Sequence, residues 1–172
     1  MSEKAFSAGD LAGPWAERLG AMKGHSAPSV SPVSPVSPAN RPTIPMPRRL
    51  NLGSGKSWHP DFVNLDISAF WKPDVVADFG KDFFGGSGVF ETERFGPIRI
   101  EKNSFELVAA HDVLEHVSEL TTCMKNALDL LAVGGIFDIL VPYDLSYGAW
   151  QDPTHVRAFN EKSWLYYTEW FW

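Results

Sequence analysis

The sequence predicts an α/β fold, with a mainly parallel sheet of about five strands and flanking helices, within residues 48–172. Short apolar runs separated by turn residues predict the strands, at Arg49 to Leu52, Phe62 to Ile67, Asp74 to Asp78, Phe105 to Ala110 and Ile136 to Val141. The last two runs are nearly continuous in apolar residues, which is typical of parallel strands covered on both faces. A helical pattern lies between them, and strand, helix and strand predict a right-handed parallel crossover.

Two helices are predicted in this domain. The first runs from about residue 117 to Leu131, because apolar residues recur there at helical spacing, and the glycine pair at 134–135 supplies a stop. The second begins at Asn160, a residue type that caps helix N-termini, and it has Glu161 in its first turn. We expect it to continue through Thr168.

Residues 1–47 are predicted to form a flexible tail rich in proline and serine. Seven of the 13 prolines fall between Pro28 and Pro47, and a Val-Ser-Pro repeat occupies residues 30–38. Proline fixes φ and removes a backbone donor, so this segment favours an extended polyproline II conformation over a packed core. A spacer is the favoured interpretation, and a docking segment for an aromatic groove on a partner is the alternative.

The composition restricts the class of protein. Apolar residues make up 44% of the chain and charged residues 21%, as in an ordinary globular protein. The net charge of -6 disfavours nucleic-acid binding, which depends on Lys and Arg to neutralise phosphates. Cys123 is the single cysteine, which excludes intrachain disulfides. No signal sequence or membrane-spanning apolar run is predicted, so we expect a cytoplasmic protein without membrane contact.

A glycine-rich loop at residues 52–55 follows the first predicted strand, where glycines let the backbone approach a ligand closely. A phosphate-binding P-loop would need a glycine at the position of Leu50. A dinucleotide fingerprint would need a small residue at the position of Trp58, and Pro60 then interrupts the helix that should follow. The loop therefore favours a nucleoside ligand that has no pyrophosphate.

Two carboxylates end the next two predicted strands. Asp66 ends the second strand, where a carboxylate can accept hydrogen bonds from both hydroxyls of a ribose. Asp78 ends the third strand, and a helix cap is the alternative role for its side chain. Because the carboxyl ends of parallel strands meet at one edge of the sheet, we expect the loop and both acids to converge there.

These segments, with the run His111-Asp112-Val113-Leu114-Glu115-His116, resemble the class I S-adenosylmethionine-dependent methyltransferases, particularly small bacterial ones that open with Leu-Asn-Leu-Gly-x-Gly. The resemblance covers residues 48–172. It implies a Rossmann-like, doubly wound fold with S-adenosyl-L-methionine as the cofactor. It also implies cofactor-binding roles for Leu52, Gly53, Ser54, Gly55, Asp66, Ile67, Asp78, Phe79, Ala110 and His111. In such proteins the loop faces the methionine part, the first acid the ribose, and the second acid with its neighbour the adenine.

The candidate catalytic residues lie in an aromatic loop after the fifth strand, at residues 142–155. Methyl transfer is an in-line displacement that needs a general base only when the nucleophile loses a proton. His155 is the candidate base, oriented by Asp152 or Asp144, and the run Asp-Pro-Thr-His-Val-Arg resembles a sequence at this place in the same family. In the alternative, Asp152 caps a turn and His155 bonds a backbone carbonyl.

Residues that bind zinc also occur here, namely His111, Glu115, His116 and His155. If the stretch is helical, His111 and His116 stand about 140° apart, whereas the helical zinc motif places its histidines four residues apart on one face. The sequence therefore predicts no metal site.

The resemblance further implies a sixth and a seventh strand after the fifth helix, and these are expected to be missing because the sequence ends at Trp172. The aromatic run at 164–172 suggests a surface covered by another chain, in a homodimer or by a partner. Two functions are thus carried forward. One is a methyltransferase acting on a small-molecule or unidentified acceptor, and the alternative is a catalytically silent nucleoside-binding or interaction module with the same fold.

Overall fold

The computed structural model describes residues 45–84 and 88–168. Apart from residues 45–47, the predicted proline-rich tail lies outside these described residues, as do the last four residues of the aromatic run. Within the described ranges, no helix has the length and apolar character needed to cross a membrane.

In the described part of the chain, seven strands form two sheets. The strands are β1 (Arg49–Leu52), β2 (Val63–Asp66), β3 (Val75–Val76), β4 (Val89–Thr92), β5 (Gly96–Arg99), β6 (Phe105–His111) and β7 (Leu131–Leu140). The main sheet has the order β3-β2-β1-β6-β7 with every pair parallel, while β4 and β5 form a separate antiparallel hairpin. The α/β class and the five-stranded parallel sheet are thereby confirmed.

The strand order reverses between β1 and β6. From β1 the chain builds outward to β2 and β3, then returns to the other side of β1 to form β6 and β7. Leu50 of β1 stands in register with Val63 on one side and Val108 on the other, and all three side chains are fully buried. This apolar row explains why these short segments form central strands. The reversal leaves a crevice at the carboxyl ends of β1 and β6.

Helix α1 (Leu120–Leu130) connects β6 to β7 and buries Cys123, Met124 and Ala127 in the core. It begins about three residues later than predicted. The Arg157 side chain donates hydrogen bonds to the carbonyl oxygens of Val117 and Ser118. A longer helix would use these two carbonyl oxygens for its own first hydrogen bonds.

Strand β7 begins at Leu131, five residues before its predicted start. Leu131 pairs with Phe105, and Ile136 pairs with Leu107. Between these two pairs β7 therefore advances by five residues while β6 advances by two. The extra residues form a bulge that contains Gly134 at φ 80°. The glycine pair at 134–135 therefore lies within an irregular strand. The prediction that this pair ends the preceding helix is wrong, because the helix ends at Leu130.

The hairpin β4–β5 has no counterpart among the predicted strands. Its turn carries Arg94, whose guanidinium donates to both carboxylate oxygens of Asp74 at 2.7 and 2.6 Å. Asp74 in turn accepts from the backbone N–H of Asn64 at 2.8 Å. The predicted third strand is only two residues long, and Asp74, which precedes it, holds the hairpin beside β3 through this ion pair.

The C-terminal part of the described chain packs on the domain itself. Helix α2 (Tyr147–Gln151) interrupts the predicted aromatic loop. Asn160 caps the next helical segment as predicted, accepting from the Lys162 N–H at 3.0 Å. That segment consists of a 3-10 turn (Glu161–Trp164) followed by α3 (Leu165–Thr168). Trp164 stacks on buried Phe159 with ring centroids 5.1 Å apart, so this part of the aromatic run contributes to the chain's own core.

Candidate functional site

A cavity of about 440 Å³ lies at the carboxyl ends of β1 and β2, beside the turn that follows β6. Six of the ten residues predicted to bind a cofactor line it, namely Leu52, Gly53, Asp66, Ile67, Asp78 and Phe79. Its volume falls within the range of small-molecule sites, roughly 300–1,000 Å³. The larger cavity of about 770 Å³, beside β3, is lined by the Arg94–Asp74 ion pair, whose charges already satisfy each other.

The glycine loop is fixed against the end of β2. Gly53 has φ 64°, and a Cβ at this position would lie 2.4 Å from Val113 Cγ2. The Ser54 N–H donates to the Leu65 carbonyl at 3.0 Å, and the Gly55 N–H donates to Asp66 Oδ2 at 2.8 Å. Only glycine allows this backbone conformation and this close approach together.

Asp66 holds the loop and faces the cavity at the same time. Its Oδ2 accepts from Gly55 and its Oδ1 from the Ser68 N–H at 2.7 Å, and only 7% of the residue is exposed. Each carboxylate oxygen has a second lone pair. Asp66 therefore remains able to accept hydrogen bonds from a ligand without releasing the loop.

Asp78 and Phe79 line a further part of the cavity wall. Asp78 Oδ1 accepts from the Gly80 N–H at 3.0 Å, and Oδ2 pairs with Lys81 Nζ at 3.1 Å, so the side chain stabilises its own turn. Phe79 is buried against Phe83, with ring centroids 4.9 Å apart. The wall thus combines an apolar aromatic surface with one polar turn.

The other four predicted cofactor residues lie outside the lining. Ser54 and Ala110 are buried behind the loop and in β6, respectively, and Gly55 uses its N–H on Asp66. His111 lies at the end of β6, where its Nε2 is 3.0 Å from Asp138 Oδ2 on β7. Strand-end position alone did not separate these residues from the six that line the cavity.

Residues 112–118 form a turn rather than a helix. The backbone enters the turn through Asp112 at φ 54°, and the His116 N–H donates to the Val113 carbonyl at 3.0 Å. The helical spacing that argued against a metal therefore does not apply to this stretch. Leu114 and Glu115 are buried by the turn, while His116 is exposed and lines the cavity.

The run Asp-Pro-Thr-His-Val-Arg at residues 152–157 binds the turn at 112–118 through hydrogen bonds. The Val156 N–H donates to the Glu115 carbonyl at 2.8 Å, and Arg157 donates to Ser118 at 3.0 Å. These bonds bring the His155 ring to 4.6 Å from the His116 ring, measured between centroids. Sequence analysis identified each histidine, but their contact depends on pairing across about forty residues.

Asp152 acts on His116 through Thr154. Asp152 Oδ1 accepts from the Thr154 hydroxyl at 2.6 Å and from its N–H at 2.8 Å, and these bonds hold the pKa of Asp152 below its usual range. Thr154 Oγ1 is also 3.0 Å from His116 Nδ1. His155 is oriented differently, with its Nδ1 3.1 Å from the Ala149 carbonyl oxygen.

Glu115, His116 and His155 form one cluster, in which their potential ligand atoms all lie within 4.8 Å of one another. Glu115 is 1% exposed, and neither of its carboxylate oxygens has a hydrogen-bond partner among the described residues. Burial raises the pKa of Glu115 above its ordinary value. His111, the fourth residue of the zinc-binding set, pairs with Asp138 instead.

Comparison with known proteins identifies no relative. No protein-family model, curated protein or solved structure matches the chain. The cavity and the cluster are thus the features from which a function can be inferred.

Proposed function

We propose that this chain is an S-adenosyl-L-methionine-dependent methyltransferase with a Rossmann-like fold, and that the 440 Å³ cavity is its cofactor site. The observation that carries the proposal is the position of the cavity. It lies where the strand order reverses, between the glycine loop after β1 and the carboxylate that ends β2. Ligands of open parallel sheets bind in this crevice, outside the carboxyl ends of the strands.

The lining suits a nucleoside. Asp66 offers its remaining lone pairs to the two ribose hydroxyls, and Phe79 offers an apolar face to a base. Ile67 is exposed at the rim and can cover a ligand from outside. A mixed wall of this kind, with few polar groups on an apolar surface, is the usual form of a small-molecule site.

A pyrophosphate fits the lining poorly. Among the described lining residues Lys81 is the single lysine or arginine, and it is paired with Asp78. Residues 56–62 contain no helix, so no helix N-terminus follows the loop to receive a phosphate. These two features favour S-adenosylmethionine over NAD, FAD or ATP.

The bound cofactor would supply an electrophilic methyl group on a sulfonium. The chain's own contribution would be to position the acceptor and, for an acceptor that loses a proton, to receive that proton. His155 is the candidate for that role, because in the neutral ring an Nδ1–H donating to the Ala149 carbonyl leaves Nε2 as an acceptor. Asp152 would act as a positioning residue through Thr154 and His116. The acceptor class stays open.

Calorimetric titration of the full chain with S-adenosylmethionine and S-adenosylhomocysteine tests the proposal. We expect one site per chain, and we expect Asp66→Asn to weaken binding by roughly 10–100-fold, the equivalent of a lost charged hydrogen bond. Asp61→Asn is the matched control, because Asp61 is exposed and lies outside the cavity lining. Circular dichroism would establish that both variants fold.

Two results would overturn the proposal. One is failure of the folded protein to bind either ligand, and the other is tighter binding of ATP or NAD than of S-adenosylhomocysteine. Binding without methyl transfer to any acceptor would instead favour the silent nucleoside-binding module.

A further inference from the structure

We propose that Glu115, His116 and His155 form a binding site for one divalent first-row transition-metal ion, of the class of Zn²⁺ or Fe²⁺. Two imidazole nitrogens and one carboxylate oxygen make up a donor set that such ions use while keeping further positions open. The three donors come from two chain segments, and the described structure brings their ligand atoms within 4.8 Å of one another.

The carboxylate of Glu115 is the first argument. It is 1% exposed, and among the described residues both of its oxygens lack a hydrogen-bond partner. Buried carboxylates in proteins are normally hydrogen-bonded, paired with a cation or bound to a metal. Neither Lys nor Arg forms an ion pair with Glu115 in the described part of the chain, and the candidate ligand atoms within 4.8 Å of its carboxylate belong to the two imidazoles. A bound cation would supply the missing partner.

The hydrogen bonds of the two histidines are the second argument. Ionised Asp152 can only accept, so the single hydroxyl proton of Thr154 is directed to it, and Thr154 Oγ1 must accept from His116 Nδ1–H. The Ala149 carbonyl likewise only accepts, so His155 Nδ1 carries a proton. In its neutral form, each imidazole would then carry its proton on Nδ1 and leave Nε2 as the nitrogen able to bind a metal.

This pattern is characteristic of metal-binding histidines. Such residues donate their second ring N–H to a carbonyl or carboxylate, which fixes the tautomer and the orientation of the ring. His155 does so directly through Ala149, and His116 does so through Thr154 to Asp152.

The geometry requires a small adjustment. Ligands at 2.0–2.1 Å from a tetrahedral Zn²⁺ lie about 3.4 Å from one another, so a pair of ligand atoms 4.8 Å apart must close by about 1.4 Å. Rotation of the Glu115 side chain can shorten its distances to both imidazoles, because no hydrogen bond from the described residues holds its carboxylate. The backbone bond from Val156 to Glu115 keeps the two segments together meanwhile.

The test uses the full chain without an affinity tag, stripped of metal by a chelator and exchanged into chelator-free buffer. Titration with Co²⁺, followed by visible absorption, reports the coordination of the ion, and calorimetry with Zn²⁺ gives stoichiometry and affinity. We expect one ion per chain and a Co²⁺ absorption band of a four- or five-coordinate site with nitrogen ligands. Neither measurement depends on S-adenosylmethionine, so the outcome is independent of the proposed function.

Variants assign the ligands. Glu115→Gln and His155→Ala should each weaken Zn²⁺ binding by more than 100-fold, and Thr154→Val, which removes the partner of His116 Nδ1, should weaken it by about 10–100-fold. His59→Ala is the matched control, since His59 is exposed and outside the cluster, and it should bind as the parent does. Without metal, Glu115→Gln should melt no lower than the parent, because it removes an unpartnered buried charge, which separates lost binding from lost folding.

Three results would overturn the proposal. The parent chain could bind no Zn²⁺ or Co²⁺ after removal of bound metal. Glu115→Gln or His155→Ala could bind within twofold of the parent. His59→Ala could reduce binding as much as His155→Ala does, which would identify binding to surface imidazoles.

Discussion

Replacing Gly53 with alanine should destabilise the domain by more than replacing any exposed glycine. Gly53 has φ 64°, and an added Cβ would lie 2.4 and 2.8 Å from the two γ-methyl groups of Val113. Val113 cannot turn both methyl groups away, because β-branched side chains are stiff at χ1, and its backbone belongs to the turn at 112–118. The clash must therefore displace either the loop or the turn.

The magnitude follows from two contributions. A left-handed conformation costs an alanine about 1–2 kcal/mol, and an overpacked contact costs about 1–3 kcal/mol. Gly53→Ala should thus lower the free energy of unfolding by about 2–5 kcal/mol. Gly134→Ala isolates the first contribution, because Gly134 has φ 80° and an added Cβ would meet no atom within 4 Å. The difference between the two variants, about 1–3 kcal/mol, measures the steric contact alone.

Urea unfolding followed by tryptophan fluorescence would give both free energies, and calorimetry with S-adenosylhomocysteine on the folded variants would give the effect on the cavity. Since Gly53 and Val113 both line the cavity, Gly53→Ala should also weaken binding, whereas Gly134→Ala should not. Equal stability of the two variants would refute the packing of Val113 on the loop. Unchanged binding by a folded Gly53→Ala variant would refute the placement of the ligand at this loop.

Two further predictions concern buried groups away from the loop. Burial raises the pKa of Cys123 to about 12, so the thiolate is scarce in the folded protein at pH 8–10. Reaction of Cys123 with a disulfide reagent in this pH range should therefore be slow until denaturant exposes the thiol. Rapid labelling of the folded chain would contradict this prediction. Arg94→Ala should lower the free energy of unfolding by about 3–5 kcal/mol, because it leaves Asp74 buried without its cation. The control Arg48→Ala, which breaks an exposed pair with Glu106, should cost about 0–1 kcal/mol in the same urea experiment.

The central sheet was predictable because its signal is local. The segment that became β6 is nearly continuous in apolar residues, which is typical of buried parallel strands, and β1 and β2 are short segments whose apolar residues are followed by turn residues. The hairpin β4–β5 was missed because its alternation is weak: charged residues flank its turn and Pro97 lies within β5. The hairpin is stabilised by the ion pair between Arg94 and Asp74, which are twenty residues apart in the sequence. Hydrophobic periodicity along the chain does not predict a contact of this kind.

The candidate site likewise contains residues that the sequence could identify and contacts that it could not. The glycine loop and Asp66 were identified because strand ends in a parallel sheet share one edge, which fixes their neighbourhood from sequence order. His111 ends a strand as well, yet the left-handed turn at Asp112 leaves it on β7's side while His116 reaches the cavity. The meeting of His116 with His155 requires the later loop to fold back, and hydrogen bonds from Val156 and Arg157 accomplish this only in the folded chain.

His116 connects the two proposals, because it lines the cavity and also belongs to the cluster with Glu115 and His155. An ion held there would lie at the part of the cavity wall that the turn after β6 forms. It would add positive charge beside a site whose lining carries Asp66 and Asp78, and bound cations are often the largest charges in such sites. Any effect of metal on nucleoside affinity must be matched by an equal effect of nucleoside on metal affinity. The shared histidine would make the cavity and the cluster parts of one site, and an ion bound to His155 Nε2 would prevent that nitrogen from receiving a proton, so the two roles of His155 exclude each other.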